Sequence, residues 1–259
     1  MTALPSWPED AFCDHRLYGP TDLFVDESGP RADGTCTLGV FIVSSELAAA
    51  ASSHLGELAA QLCKDFPALA AATYGGEWKG RLLARSAATT RERRAIGRGE
   101  LLSDKERQAV YARCLAAIRK MPAAGALAVT YCWTGPEQGA EGMSGYRIRR
   151  IVQFALSALA FHGVSVRRAC IDNGHPSHYS AGIEEYARVS GSSAIPHVFV
   201  DSRDDRRVQL ADLIAFAGHT SRFPGGSRAF TTAPGWLKGF VGERLITLGD
   251  DADHHVIEP

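Results

Sequence analysis

Apolar stretches and polar breaks succeed one another along the chain in a pattern that predicts strands and helices in turn. Residues 1–20 are rich in Pro and read as an extended N-terminal arm. Leu23-Phe24-Val25 is a short apolar run that halts at Asp26 and the turn-forming Ser28-Gly29, which is the signature of a buried strand. A second run, TCTLGVFIVSS from Thr35, is rich in Thr, Val, Ile and Phe, and the short Gly-containing link between the two predicts a hairpin. From Ser45 to about Ala72, Leu47, Leu55, Leu58 and Leu62 recur at helical spacing in an Ala-rich background, and the paired Gly75-Gly76 follows as a break. Ser103 with Glu106 forms a capping-box pattern that opens a helix running through Lys120, with Val110, Cys114, Leu115 and Ile118 on one face.

The second half repeats the alternation. GALAVTYCW from Gly125 reads as a strand, and Ser144 to His162 as an amphipathic helix that turns Ile148, Ile151, Val152, Leu156 and Leu159 inward. VSVRRACIDNG reads as a strand ending at Asp172, and HVFVDS from His197 as a later one. DRRVQLADLIAFAGHT reads as a helix that gathers Leu210, Leu213, Ile214 and Ala217, and a Pro/Gly-rich loop and a polar, acidic tail follow it. The order β-β-α-α-β-α-β-α-β-α describes one α/β domain over 21–259, with a helical insertion at about 81–122.

Composition narrows the class. A net charge of −1 with 45% hydrophobic and 22% charged residues excludes a disordered chain. No stretch approaches the roughly 20 apolar residues of a membrane helix. The opening MTALPSWPEDAF lacks the basic cap and apolar run of a secretory signal, so the expectation is a cytoplasmic protein with no membrane partner. The six cysteines form no C-x-x-C pair and mostly sit in apolar runs, which suits reduced, buried thiols better than disulfides or structural zinc.

The candidate chemistry lies in acids placed where acids are costly. Asp26 and Asp172 each close an apolar strand, Asp212 interrupts the apolar helix segment QLADLIAFA, and Glu77 sits in the tight segment GGEWKG. Oxygen-only ligands of this kind suit Mg²⁺ or Mn²⁺. Each residue also has a plainer reading: a turn or cap for the two strand-terminal aspartates, a pair with Arg206 or Arg207 for Asp212, and a pair with Lys79 or Arg81 for Glu77. Residues 79–98 carry seven basic side chains against one acid, Glu92. Lys79, Arg81, Arg85, Arg91, Arg93 and Arg94 are therefore candidates to meet a phosphate backbone, or simply a solvated helix face. Tyr146, Arg147, Arg149 and Arg150 form a smaller patch of the same kind. His175-x-x-His178 reads as a polar surface loop more readily than as a ligand pair.

LFVDESG, then GEWKG, then CIDNG, then DSRDDRRVQLADLIAFA, in that order over residues 22–218, resembles the bacterial and phage family called domain of unknown function 3800. The resemblance implies a ribonuclease H-like mixed sheet flanked by helices. It also implies that Asp26, Glu77, Asp172 and Asp212 form a catalytic, metal-binding set for two Mg²⁺ or Mn²⁺ ions. Two such ions about 3.5–4 Å apart activate a water and stabilise the leaving oxygen in phosphodiester hydrolysis. The expected function is thus a metal-dependent nuclease acting on DNA or RNA. The alternative is a non-catalytic nucleic-acid or protein-binding module, one component of a phage-defence or mobile-element system. No phosphate-binding loop, dinucleotide fingerprint or serine-hydrolase elbow supports another class.

Overall fold

The computed structural model describes residues 19–28, 35–70, 77–83, 102–121, 123–132, 140–161, 163–222 and 246–248. The strands are β1 (Pro20–Ser28), β2 (Thr35–Ser44), β3 (Ala124–Cys132), β4 (Ser165–Asp172), β5 (His197–Val200) and β6 (Ile246–Leu248). The helices are α1 (Ala48–Asp65), α2 (Gly80–Leu83), α3 (Asp104–Lys120), α4 (Ala140–Phe161), α5 (Pro176–Ser190) and α6 (Arg206–Arg222), with single 3₁₀ turns at Ser45–Leu47 and Pro67–Ala70. The protein is a mixed α/β fold around one mixed sheet ordered β5-β4-β1-β2-β3-β6. β2 runs antiparallel to both β1 and β3, whereas the β1–β4, β4–β5 and β3–β6 pairs are parallel.

The sheet is covered on both faces, and β1 shows why its sequence is a continuous apolar run rather than an alternation. Phe24 belongs to the core that includes α1, α3 and α6, and Leu23 and Val25 to the core built with α4 and α5. Val110, Cys114, Leu115 and Ile118 of α3 all enter the first core, although they fall within the span read as an insertion. The inward residues expected on α4 fill the second. The middle of α6, from Val208 to Gly218, is buried nearly all round because it lies between β1, β2 and β3 on one side and α1, α2 and α3 on the other. It approaches β2 so closely that a Cβ on Gly39 would stand 2.1 Å from the Ala211 carbonyl oxygen, so no residue but glycine fits there.

The expected elements are present, with differences that have local causes. The capping box of α3 is complete: the Ser103 hydroxyl accepts from the Glu106 N–H, and the Glu106 carboxylate accepts from the Ser103 N–H at 2.7 Å. The Ala-rich helix stops at Asp65, short of Ala72, because Pro67 cannot continue it. β6 lies within the stretch read as a tail, and its pairing with Val129–Tyr131 of β3 is a long-range event without a strong local pattern. His175 and His178 correct the surface-loop reading: His175 is the N-cap of α5, Pro176 opens the helix, and His178 lies in its first turn.

Candidate active site

β1 is the switch point of the sheet, since the chain leaves it toward β2 on one side and returns to β4 on the other. In α/β sheets, ligands gather outside the carboxyl ends of the strands at such a point. Val25 registers with Ile171, so the residues that follow them, Asp26 and Asp172, stand side by side on adjacent parallel strands. Asp172 closes β4, but Asp26 does not close β1, which stays paired with β2 through Ser28.

Asp26 is 9% exposed, and its Oδ1 accepts the Glu27 backbone N–H at 2.7 Å. Burial pushes its carboxyl well above the usual range, and the charges of Asp212, Glu27 and Asp172 add to the push. Asp212 arrives from α6, where its Oδ2 accepts the Gly80 N–H at 2.7 Å and ties α2 to the site. Asp172 Oδ1 accepts the Ser202 N–H at 3.1 Å. The structure therefore brings three of the four expected acids into one electrostatic neighbourhood. Glu77 stands at its margin, 3.1 Å from Lys79 Nζ and 3.5 Å from the Ser202 hydroxyl. Lys79 is thus partnered by Glu77, as the plainer reading held, and Asp205, not Asp212, takes Arg207 at 2.7 Å. Arg81 lies in α2, and nothing is described of its side chain; Arg85, Arg91, Arg93 and Arg94 lie outside the described residues.

Sequence reasoning missed Glu27. Neighbouring residues in a strand face opposite sides of a sheet, so nothing in the order Asp-Glu links the two carboxylates. β1 stays paired through Ser28, and the two carboxylates, adjacent along it, bear on each other's charge. The buried Tyr179 hydroxyl donates to Glu27 Oε2, and His175 Nε2 lies 3.7 Å from Oε1. Glu27 is raised to about 7: burial is the largest cause, the charges of Asp172 and Asp212 add to it, and the Tyr179 hydroxyl works against it. A Cβ on Gly174 would come within 3.2 Å of Glu27 Oε1 and 3.4 Å of Asp172 Oδ2, so the missing side chain there leaves these two carboxylates room. Gln209, an uncharged letter of the helix motif, carries no signal of its own in the sequence. It is 1% exposed; its Oε1 accepts from the Trp78 N–H at 3.0 Å and its Nε2 donates to the Ser202 carbonyl at 2.7 Å. One buried amide thus holds the Glu77 segment, the Ser202 loop and α6 together.

The donor chemistry fits a hard divalent cation: carboxylates from β1, β4 and α6, near enough to repel one another. Among the described residues, no group of three or more His, Cys, Asp or Glu side chains is already gathered as a metal site.

No family model matches the chain, and no curated protein does. Among solved structures, the chain is similar to one in the structure of the PCNA:RNase HII complex from Archaeoglobus fulgidus. The TM-score is 0.39 and the identity 15%, over 87% of this chain and 91% of that one, a likeness too slight to carry any residue's role across.

Proposed function

We propose that the protein is a divalent-metal-dependent nuclease with a ribonuclease H-like core, akin to the domain of unknown function 3800 family. The observation that carries the reading is the convergence of Asp26 and Asp172, near the carboxyl ends of β1 and β4, with Asp212 of α6, so close that the charges of the other two raise the buried Asp26 carboxyl. Carboxylates crowded against like charge are costly, and catalytic sites are where proteins retain them. The sheet order β5-β4-β1-β2-β3, with β2 alone reversed, agrees with the fold that the resemblance implies. Asp26, Asp172 and Asp212 would hold Mg²⁺ or Mn²⁺, with Glu77 beside them. When bound, such ions activate water and stabilise the leaving oxygen of a phosphodiester. The chain's own residues orient the carboxylates: the Gly80 N–H fixes Asp212, the Ser202 N–H fixes Asp172, and Gln209 fixes the loop that carries Ser202.

The test incubates labelled single-stranded DNA, duplex DNA, RNA and hybrid with the protein and its Asp26→Asn form, in Mg²⁺, in Mn²⁺ and in chelator. Cleavage that requires both metal and Asp26 is expected. A second reading, a binding module without turnover, is favoured by the lack of a ready-gathered ligand group among the described residues. Nucleic-acid binding undiminished by chelator, with no cleavage under any metal, selects that reading.

A further inference from the structure

The acids on β1 and β4 have a cationic counterpart on α4. Arg147 is 9% exposed, and its Nε is buried without a hydrogen-bond partner among the described residues. A buried guanidinium left short of an acceptor costs stability, and such a group calls for a ligand or a reason. Its place in the fold supplies the reason. Cys36, at the start of β2, is held in the combined field of Glu27 and Arg147. Thr37, the next residue, registers with Ser28 at the carboxyl end of β1. Arg147 therefore stands at the same end of the sheet as the carboxylates, under the α4–α5 layer.

Contacts join the two poles. His175 Nε2 lies 3.7 Å from Glu27 Oε1, and the His175 and His178 rings are 6.0 Å apart. The His178 ring lies against Gly145, where a Cβ would be only 2.4 Å from Cε1. Arg149 is exposed one turn on, close enough to His178 to bear on its charge, and Arg150 stacks on Tyr146 at 5.6 Å. Glu185, the acid facing this patch from α5, is already engaged by Arg188. The Arg147 Nε without an acceptor and the exposed Arg149 each suit an anionic oxygen, and a polyanion supplies several.

We propose that the N-terminal half of α4 is a phosphate-gripping wall for the nucleic acid, with Arg147 and Arg149 holding backbone phosphates that flank the one presented to the carboxylates. This rests on the nuclease reading and deepens it: both are substrate-positioning residues, not catalytic ones. A guanidinium suits the task because its planar fork meets phosphate oxygens in pairs.

The experiment uses the full chain in chelator, so that binding is read without turnover. Anisotropy of short fluorescein-labelled single-stranded DNA and RNA is followed across a salt series for the wild type, Arg147→Gln, Arg147→Lys and Arg149→Gln. Each Gln variant is expected to bind about tenfold more weakly, with a salt slope smaller by about one. Arg147→Lys should regain the slope but not the full affinity. In Mg²⁺ or Mn²⁺, KM should rise while kcat stays within about twofold. If Arg147→Gln fails to fold, Arg149→Gln, on an exposed side chain, decides. Unchanged affinity and slope in the folded variants would overturn the proposal while Asp26-dependent cleavage still upheld the nuclease. Failure of the wild type to bind any oligonucleotide would overturn both.

Discussion

Asp22 and Asp26 stand on the same face of β1, near its two ends, and both are buried. At the amino end, Arg167 takes both oxygens of Asp22 at 2.9 Å, Arg168 adds a third contact at 2.8 Å, and the Ser45 hydroxyl a fourth at 2.6 Å. The register of β4 slips between Thr21 and Asp22, which makes Arg167 a bulge residue and lets two consecutive arginines reach one carboxylate. Burial pushes the Asp22 carboxyl up, but these donors outweigh it and leave it below its ordinary value. At the carboxyl end, burial is reinforced by three further carboxylates, and Asp26 rises instead. One strand thus carries an acid held by cations and an acid held among like charges. Their neighbours, not their type or burial, set the two apart.

The largest break in this comparison is in activity. Asp26→Asn and Asp212→Asn are each expected to lower the cleavage rate by about 10³-fold, roughly 4 kcal/mol of transition-state stabilisation, while circular dichroism stays native. Asp22→Asn should leave any cleavage by the folded fraction unchanged but destabilise the fold by about 2 kcal/mol, measured by urea unfolding. In chelator at neutral pH, Asp26→Asn should instead be neutral or stabilising, because it removes a repelled charge. If both variants destabilise equally, the contrast between the two ends is wrong.

The pH dependence of stability should differ in sign at the two ends. Asp22 has a depressed folded value, so its contribution is present above its unfolded value of about 3.9 and is lost as pH falls through the folded one. Glu27 is raised from 4.5 to about 7, so the folded state binds the extra proton in that window and stability falls as pH rises through it. Glu27→Gln should flatten the decline between those values by an amount on the order of 2 kcal/mol, read from unfolding midpoints in chelator. A smaller effect is expected from metal. Mg²⁺ or Mn²⁺ at ten times its Kd should stabilise the wild type by about 1.4 kcal/mol and Asp26→Asn by much less. Arg168→Gln should cost least, below about 1 kcal/mol, since that side chain is 45% exposed and Arg167 remains on Asp22.

Much of the scaffold was legible because it rests on local rules. The α3 capping box, the inward faces of α3 and α4, and the β1–β2 hairpin follow from spacing and turn chemistry read over a few residues. β6 was not legible, because three residues of strand acquire their identity only from β3. The separation of roles among the acids was legible only in part. Asp26, Asp172 and Asp212 were conspicuous as charges set in apolar runs, whereas Asp22 sits in such a run too and is the counter-ion of two arginines.

The amino-acid sequence by itself determined which segments are buried, which carboxylates follow directly on apolar strand residues, and that Asp212 interrupts the apolar middle of its helix. Those are consequences of nearest-neighbour chemistry and of periodicities of two and 3.6 residues. Only the tertiary structure decided that Glu27 meets the buried Tyr179 hydroxyl beside Asp26 and that Gln209 ties Trp78 to the Ser202 loop. It alone placed Arg147 at the acidic end and Arg167 at the other. The reason is electrostatic: the fate of a charge depends on the few ångströms around it, and in this fold most of those neighbours come from more than a hundred residues away along the chain.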